Sequence, residues 1–185
     1  DAYSNLAYLQ LLQGDYQSGL KNYEFRFKKK TPLPLHGSPS IRKVDDIDIA
    51  KGEKLLVVSE QGLGDTLQYM RYIPYLRSQG FDVSFCALTK LHTLIKASGI
   101  DKNPLKPEQA NQLSEGKWIP LLSLPRYLAI NPTNPIVSQP YIHSTDELRE
   151  KWKNIFSKEK KAIIGLNWQG NKKIEKTYQG RSIPL

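Results

Sequence analysis

The sequence predicts an α/β fold: a doubly wound parallel sheet preceded by an α-helical hairpin. Three observations carry that prediction. The run Leu55-Leu56-Val57-Val58 contains no alternating polar residue, as expected of a strand buried on both faces, the signature of a parallel sheet. It leads into Gln61-Gly62-Leu63-Gly64-Asp65-Thr66, where two glycines allow a tight turn and leave amide N–H groups at a helix N-terminus, a position that favours anionic groups. From residue 54 to about 97 strand-like and helix-like segments alternate, and a βαβα run of this kind argues for parallel pairing through right-handed crossovers.

In chain order, residues 1 to about 27 read as two helices on either side of Gly14-Asp15, with Leu6, Leu9 and Leu12 spaced for one face of the first and Tyr16, Leu20, Tyr23 and Phe27 for the second. Such a hairpin buries its apolar face only by stacking on further repeats or by docking on the next domain. Residues 28–50 contain Pro32, Pro34, Gly37 and Pro39, too many breakers for regular structure, and read as an ordered linker. A strand follows at 54–59, then one helix from Asp65 to about Ser78, a strand over 82–87 and a helix over 91–97 ended by Gly99. Trp118-Ile119 suggests another strand, residues 123–129 a short helix, and 132–140 a loop. Thr145 with Asp146 and Glu147 makes a helix start, and Trp152 and Phe156 fall on one face of that helix. The apolar residues of 161–168 read as a strand opening a second unit of the same kind. The expected organisation is therefore a hairpin over 1–30, a linker over 31–50, a sheet domain over 51–160 and the start of another over 161–185.

Composition narrows the function classes. No apolar stretch approaches the roughly 20 residues needed to span a bilayer, and no charged-then-apolar leader opens the chain, so the expectation is a soluble, cytoplasmic protein or one peripheral to an inner membrane. For the latter, Arg26, Lys28, Lys29 and Lys30 are the residues that would meet an anionic surface. The net charge of +9 invites a nucleic-acid reading, but the lysines are dispersed among small clusters and no recognition motif accompanies them. A solvated face, or attraction for an anionic ligand, is the better account. Cys86 is the one cysteine; lying in a strand, it reads as a small core residue. His36, His92 and His143 have no ligand spacing, which argues against a metal site, and no cofactor is expected.

The glycine turn is neither a Walker A loop, since no lysine follows the glycines, nor a full dinucleotide fingerprint, since Leu67 stands where a third glycine or an alanine belongs. Read alone, Gly62-Leu63-Gly64 could close a loop and Asp65 cap a helix. Its context is wider: Glu60 to Pro74, Pro120-Leu-Leu-Ser-Leu-Pro125, Gly165-Leu-Asn-Trp-Gln-Gly-Asn171 and Arg181-Ser-Ile-Pro-Leu185. In this order the four blocks resemble the glycosyltransferase-like region that follows tetratricopeptide repeats in many bacterial proteins, a relative of the ADP-heptose:lipopolysaccharide heptosyltransferases. Leu12-Gln-Gly-Asp-Tyr16 with Gly19-Leu20 and Tyr23 is similar to the middle of one such repeat.

The resemblance implies one Rossmann-like half of a GT-B fold, with the chain supplying the acceptor side and only the beginning of the donor side, inactive by itself. It also implies a nucleotide-sugar donor, an acceptor of glycan, lipid or protein nature, and a protein partner on the repeat helices. In that family the aspartate matching Asp65 is the proposed base. A carboxylate at a helix N-terminus is favoured in its ionised form and suited to orienting an acceptor hydroxyl. Gln61 and Gln68 offer uncharged amides to sugar hydroxyls; Gly62, Gly64 and Thr66 complete the loop, and Arg71, three residues beyond Gln68, is placed to border the cleft or to pair at the surface. Asn167 follows the last strand, and Arg181-Ser182 resembles the family's basic site near the donor phosphates, where a guanidinium would stabilise leaving-group charge. The alternative is a non-catalytic interaction scaffold that kept only the fold.

Overall fold

A run of apolar residues without polar alternation needs cover on both sides, and Leu55, Leu56, Val57 and Val58 are each at most 2% exposed. The computed structural model describes residues 2–31, 33–44, 49–136 and 139–167. Four strands, β1 (Arg42–Lys43), β2 (Lys54–Val58), β3 (Asp82–Cys86) and β4 (Lys117–Pro120), form one sheet in the order β1-β4-β2-β3 with every pair parallel. The chain thus leaves β2 toward β3 on one side and later returns to β4 on the other, so the order reverses at β2. This arrangement is α/β and consistent with a Rossmann-like sheet. The chain divides into two compact units, Asp1–Ser144 and Thr145–Leu185.

Within the first unit, α1 (Ala2–Leu12) and α2 (Tyr16–Tyr23) form the hairpin, followed by a 3₁₀ segment over Glu24–Lys28. Its seam is built from small residues. Ser4 and Ala7 are the buried positions of α1, while Leu6, Leu9 and Leu12, spaced for an inward stripe, are all exposed. Gly19 makes room for Leu11: a Cβ there would lie 2.8 Å from Leu11 Cγ, so the helices approach closely only because that atom is missing. The hairpin is joined to the sheet side of its unit, with α2 against α7 (Leu124–Tyr127).

The single helix expected from Asp65 to Ser78 is instead two, α3 (Leu63–Tyr69) and α4 (Tyr72–Ser78). Pro74 is the cause: it has no N–H for the Met70 carbonyl, and Ile73 N takes that oxygen at 3.1 Å in its place. Both helices, with α5 (His92–Ala97) and α7, supply the side chains that cover Leu55, Val57, Val83, Phe85 and Ile119 on one face of the sheet. The other face, Leu56, Val58 and Cys86, is covered by α6 (Pro107–Asn111) through Ala110 and by Leu35 and Ile41. The stretch expected to be a mere linker is therefore a layer of the fold, and it also contains β1.

Arg77 secures the outer side of β3. Its Nε and Nη2 donate to the Val83 carbonyl at 3.2 and 2.7 Å, Nη1 donates to Ile100 O at 2.6 Å, and Nη2 pairs with Asp101 at 2.6 Å. Beyond it, Leu105 bridges Cys86 in parallel.

In the second unit, α8 (Asp146–Phe156) starts as its sequence requires: Thr145 Oγ1 accepts from Leu148 N at 3.2 Å. Trp152 and Phe156 stack with ring centroids 5.3 Å apart. The strand expected at 161–168 does not form over its described part, 161–167. Ile164 and Leu166 are about four-fifths exposed there, and strand-forming residues without a neighbouring ladder remain extended chain.

Candidate functional site

The β2–α3 turn lies at the carboxyl end of the sheet beside the reversal of strand order, where open α/β sheets take their ligands. Its backbone works differently from the sequence reading. The residue in the left-handed region is Gln61, with φ 60°, while Gly62 is extended and Gly64 has open space where a side chain would begin. Gln61 is held there by two bonds: its N–H donates to Pro34 O at 3.1 Å and its Nε2 donates to Tyr23 Oη at 2.8 Å. Tertiary contacts, rather than glycine, fix the turn.

Asp65 is half-buried in the first turn of α3. Its Oδ2 accepts from Gly62 N at 2.9 Å, and Oδ1 has no protein hydrogen-bond partner among the described residues. Thr66 is buried, its hydroxyl donating to Gly62 O at 3.2 Å. Gln68 is exposed one turn on, with a side chain that bonds to no protein group among the described residues. Arg71 folds back on its own helix: Nε donates to Gln68 O at 2.7 Å and Nη2 to Tyr141 Oη at 3.0 Å, the guanidinium standing 4.7 Å from that ring's centre. It thus caps the end of α3 instead of reaching outward. Asn167 is exposed in the second unit. Arg181 and Ser182 lie outside the described residues.

The floor of this region is a charged network that the sequence reading missed. Glu60 and Arg26, 0% and 1% exposed, form a fork: Nε to Oε2 at 3.0 Å and Nη2 to Oε1 at 2.8 Å. Leu122 N, just past β4, also donates to Glu60 Oε1 at 3.2 Å. Arg26 further donates to Ser123 Oγ, Tyr23 O and Glu24, and its guanidinium carbon lies 4.6 and 4.2 Å from the centres of the Tyr23 and Phe27 rings. Burial alone would pull the Arg26 pKa down, but hydrogen bonding and charge from Glu60, then Glu24, reverse the sign and raise it. A buried Arg26 is not available to a membrane surface, which corrects that part of the charge reading. The available signal was a lone Glu between a buried strand and the turn, since a carboxylate there needs a partner.

Two neighbouring groups make separate predictions. His36 Nδ1 lies 2.8 Å from Ser59 Oγ, and its pKa falls below the ordinary 6.5, chiefly through burial. The folded state therefore disfavours the proton. This contribution is complete above about pH 6.5 and is lost as pH falls through the lower folded value; His36→Gln should flatten that acid-side loss in urea denaturations between pH 5 and 7, the window set by the ordinary imidazole value. Burial pushes the Cys86 thiol up to about 12. It should resist iodoacetamide at pH 8 in the native protein and react once urea unfolds it, as mass spectrometry would register.

Gln68 and Tyr69 form part of a cavity of about 550 Å³ whose other lining includes Tyr16, Tyr72 and Pro125. No group of three or more His, Cys, Asp or Glu able to hold a metal occurs among the described residues, and no helix among them is long and apolar enough to cross a membrane. No family model matches the chain, and no curated protein or solved structure is significantly similar to it.

Proposed function

We propose that this chain is the acceptor-side half of a GT-B glycosyltransferase-like protein related to the heptosyltransferases, joined to tetratricopeptide-type helices. The observation that carries the reading is the state of the Asp65 carboxylate. One oxygen is anchored on the Gly62 amide and the other makes no protein bond among the described residues, half-buried at the carboxyl rim of a parallel sheet. A general base must be held in place yet keep a lone pair for the hydroxyl it serves. Four sequence blocks in family order support the same reading, as does the +9 charge, which suits a nucleotide-sugar donor. The mechanism is direct displacement: Asp65 takes the acceptor proton while the acceptor oxygen attacks the anomeric carbon and the nucleoside diphosphate departs. Turnover requires a donor-binding lobe with Asn167, Arg181 and Ser182 toward the phosphates. The test is release of nucleoside diphosphate from a panel of sugar nucleotides by the full-length protein, and absence of release across the panel would refute it.

A second reading, the non-catalytic scaffold, has its own observation. The Asp65–Gly62 bond also fits a helix-terminal box, and Arg26 and Glu60 fill the space beneath the turn. Under this reading the full-length protein binds a protein partner through its repeat helices and hydrolyses nothing.

A further inference from the structure

In the second unit, α8 buries none of its eleven residues. A helix this short is marginal in water by itself and draws its stability from cover over an apolar face. At 3.6 residues per turn, Leu148, Trp152, Ile155 and Phe156 fall in one stripe about 100° wide, and each is between 42 and 48% exposed. From this stripe and the charges around it we infer that α8 docks flat on an anionic lipid bilayer.

The placement of charge selects that partner. On the same projection Arg149 and Lys151 border the stripe on its two sides, whereas Asp146, Glu147 and Glu150 fall on the far side of the helix. Cations at the edge of an apolar face can lay their stems along it and keep their heads at the headgroup level; Lys151 Nζ already stands 6.0 Å from the Trp152 ring centre. Two of the acids are engaged within the helix, Asp146 with Arg149 and Glu150 with Lys153 at 3.7 Å. With those pairs set aside, the segment 146–161 keeps Lys151, Lys158, Lys160 and Lys161 against Glu147 and Glu159. The last three lysines make no ion pair among the described residues.

The apolar residues are also of the kind that an interface takes. Trp152 and Phe156 stack with an interplanar angle of 27°, which gives the stripe a broad aromatic end, and such rings favour the boundary between acyl chains and water. The helix is about 16 Å long, far short of the roughly 30 Å hydrocarbon layer, so it can lie in the surface but not cross it. A second copy of this chain would set like lysines against each other, and a nucleic acid has phosphates but no apolar bed for four side chains. An anionic bilayer has a negative surface over an apolar layer. An acidic, apolar groove on another protein has both features as well, and the experiment decides between them.

This inference does not rest on catalysis at Asp65. The whole chain is sedimented with vesicles containing phosphatidylglycerol and, separately, with vesicles of phosphatidylcholine alone. The anionic vesicles should bind it about fivefold or more tightly, with the difference shrinking as salt rises. Trp152→Gln combined with Phe156→Gln should weaken binding about tenfold or more, and because neither side chain is buried the Tm should not move. Replacing Lys158, Lys160 and Lys161 by Gln should remove most of the preference for phosphatidylglycerol, while Asp65→Asn should leave binding unchanged. No binding to anionic vesicles would overturn the inference. So would binding that the Trp152 and Phe156 changes leave intact but that Gln at Lys28, Lys29 and Lys30 abolishes, since that would place the contact on the first unit. Capture of a soluble glutamate-rich amphipathic peptide by α8, with vesicles left unbound, would assign the stripe to a protein partner and overturn it too. Vesicle binding without sugar-nucleotide turnover would leave this inference intact while refuting the transferase; turnover without vesicle binding would do the reverse.

Discussion

Arg26→Ala is expected to lower stability by about 3–5 kcal/mol, because it strips the counter-charge from a carboxylate that solvent does not reach. Among the described residues, Glu60 would retain only the Leu122 amide as a donor. Against a total stability of about 5–15 kcal/mol for a typical domain, this is a large fraction of the whole. Arg26→Lys should recover only part of the loss, since an ammonium cannot donate from two positions of a planar fork. Replacing both partners by Leu should recover most of it, because the buried charge goes with its partner. The residue would be about 1–3 kcal/mol for the Leu122 N–H left without an acceptor. Urea unfolding followed by circular dichroism measures all three. A loss below about 1 kcal/mol for Arg26→Ala would mean the pair is solvated in solution, since exposed pairs contribute no more than that.

Asp65→Asn in the full-length protein should reduce sugar-nucleotide turnover by about 10²–10⁴-fold, the usual contribution of a positioned base. Its effect on Tm should be slight. The Asn carbonyl oxygen can still accept the Gly62 amide, so the bond now made by Oδ2 survives while proton acceptance does not. Asp65→Ala removes both and should add a stability loss of about 1 kcal/mol, typical of a lost helix-terminal bond. If turnover survives the Asn substitution, Asp65 serves the helix start alone.

Much of the sheet was legible. Leu55–Val58 declared a strand by its apolar run, Asp82–Cys86 by alternating Val83 and Phe85, and Trp118-Ile119 by its bulky apolar pair, while Thr145 announced α8. Pro74 carried the signal for the break between α3 and α4, since a proline four residues after Met70 removes a helical bond. β1 carried none: Arg42-Lys43 is two charged residues, placed in the sheet by the Trp118 edge it meets and not by its own preference. At the candidate site, Gln68 one helical turn beyond Asp65 was readable from spacing. The Arg26–Glu60 pair was not, because partners 34 positions apart meet only once the hairpin and sheet have docked. The left-handed Gln61 was hidden for the same reason, its strain being offset by bonds to Pro34 and Tyr23 that no local pattern records. The hydrophobic spacing of α1 misled, because the leucine that packs at Gly19 is Leu11, outside that spacing, while Leu6, Leu9 and Leu12 stay exposed.

The guanidinium clasp on Val83 has a bearing on how copies of this protein meet at high concentration. A parallel sheet usually ends in a rim of free carbonyls and amides that can recruit a stranger's backbone. Among the described residues one rim is two residues long, and the other has Arg77 seated on Val83 with Leu105 alongside. Neither rim offers a ladder long enough to template a neighbour, so the fold guards itself against fibrous self-association at its borders.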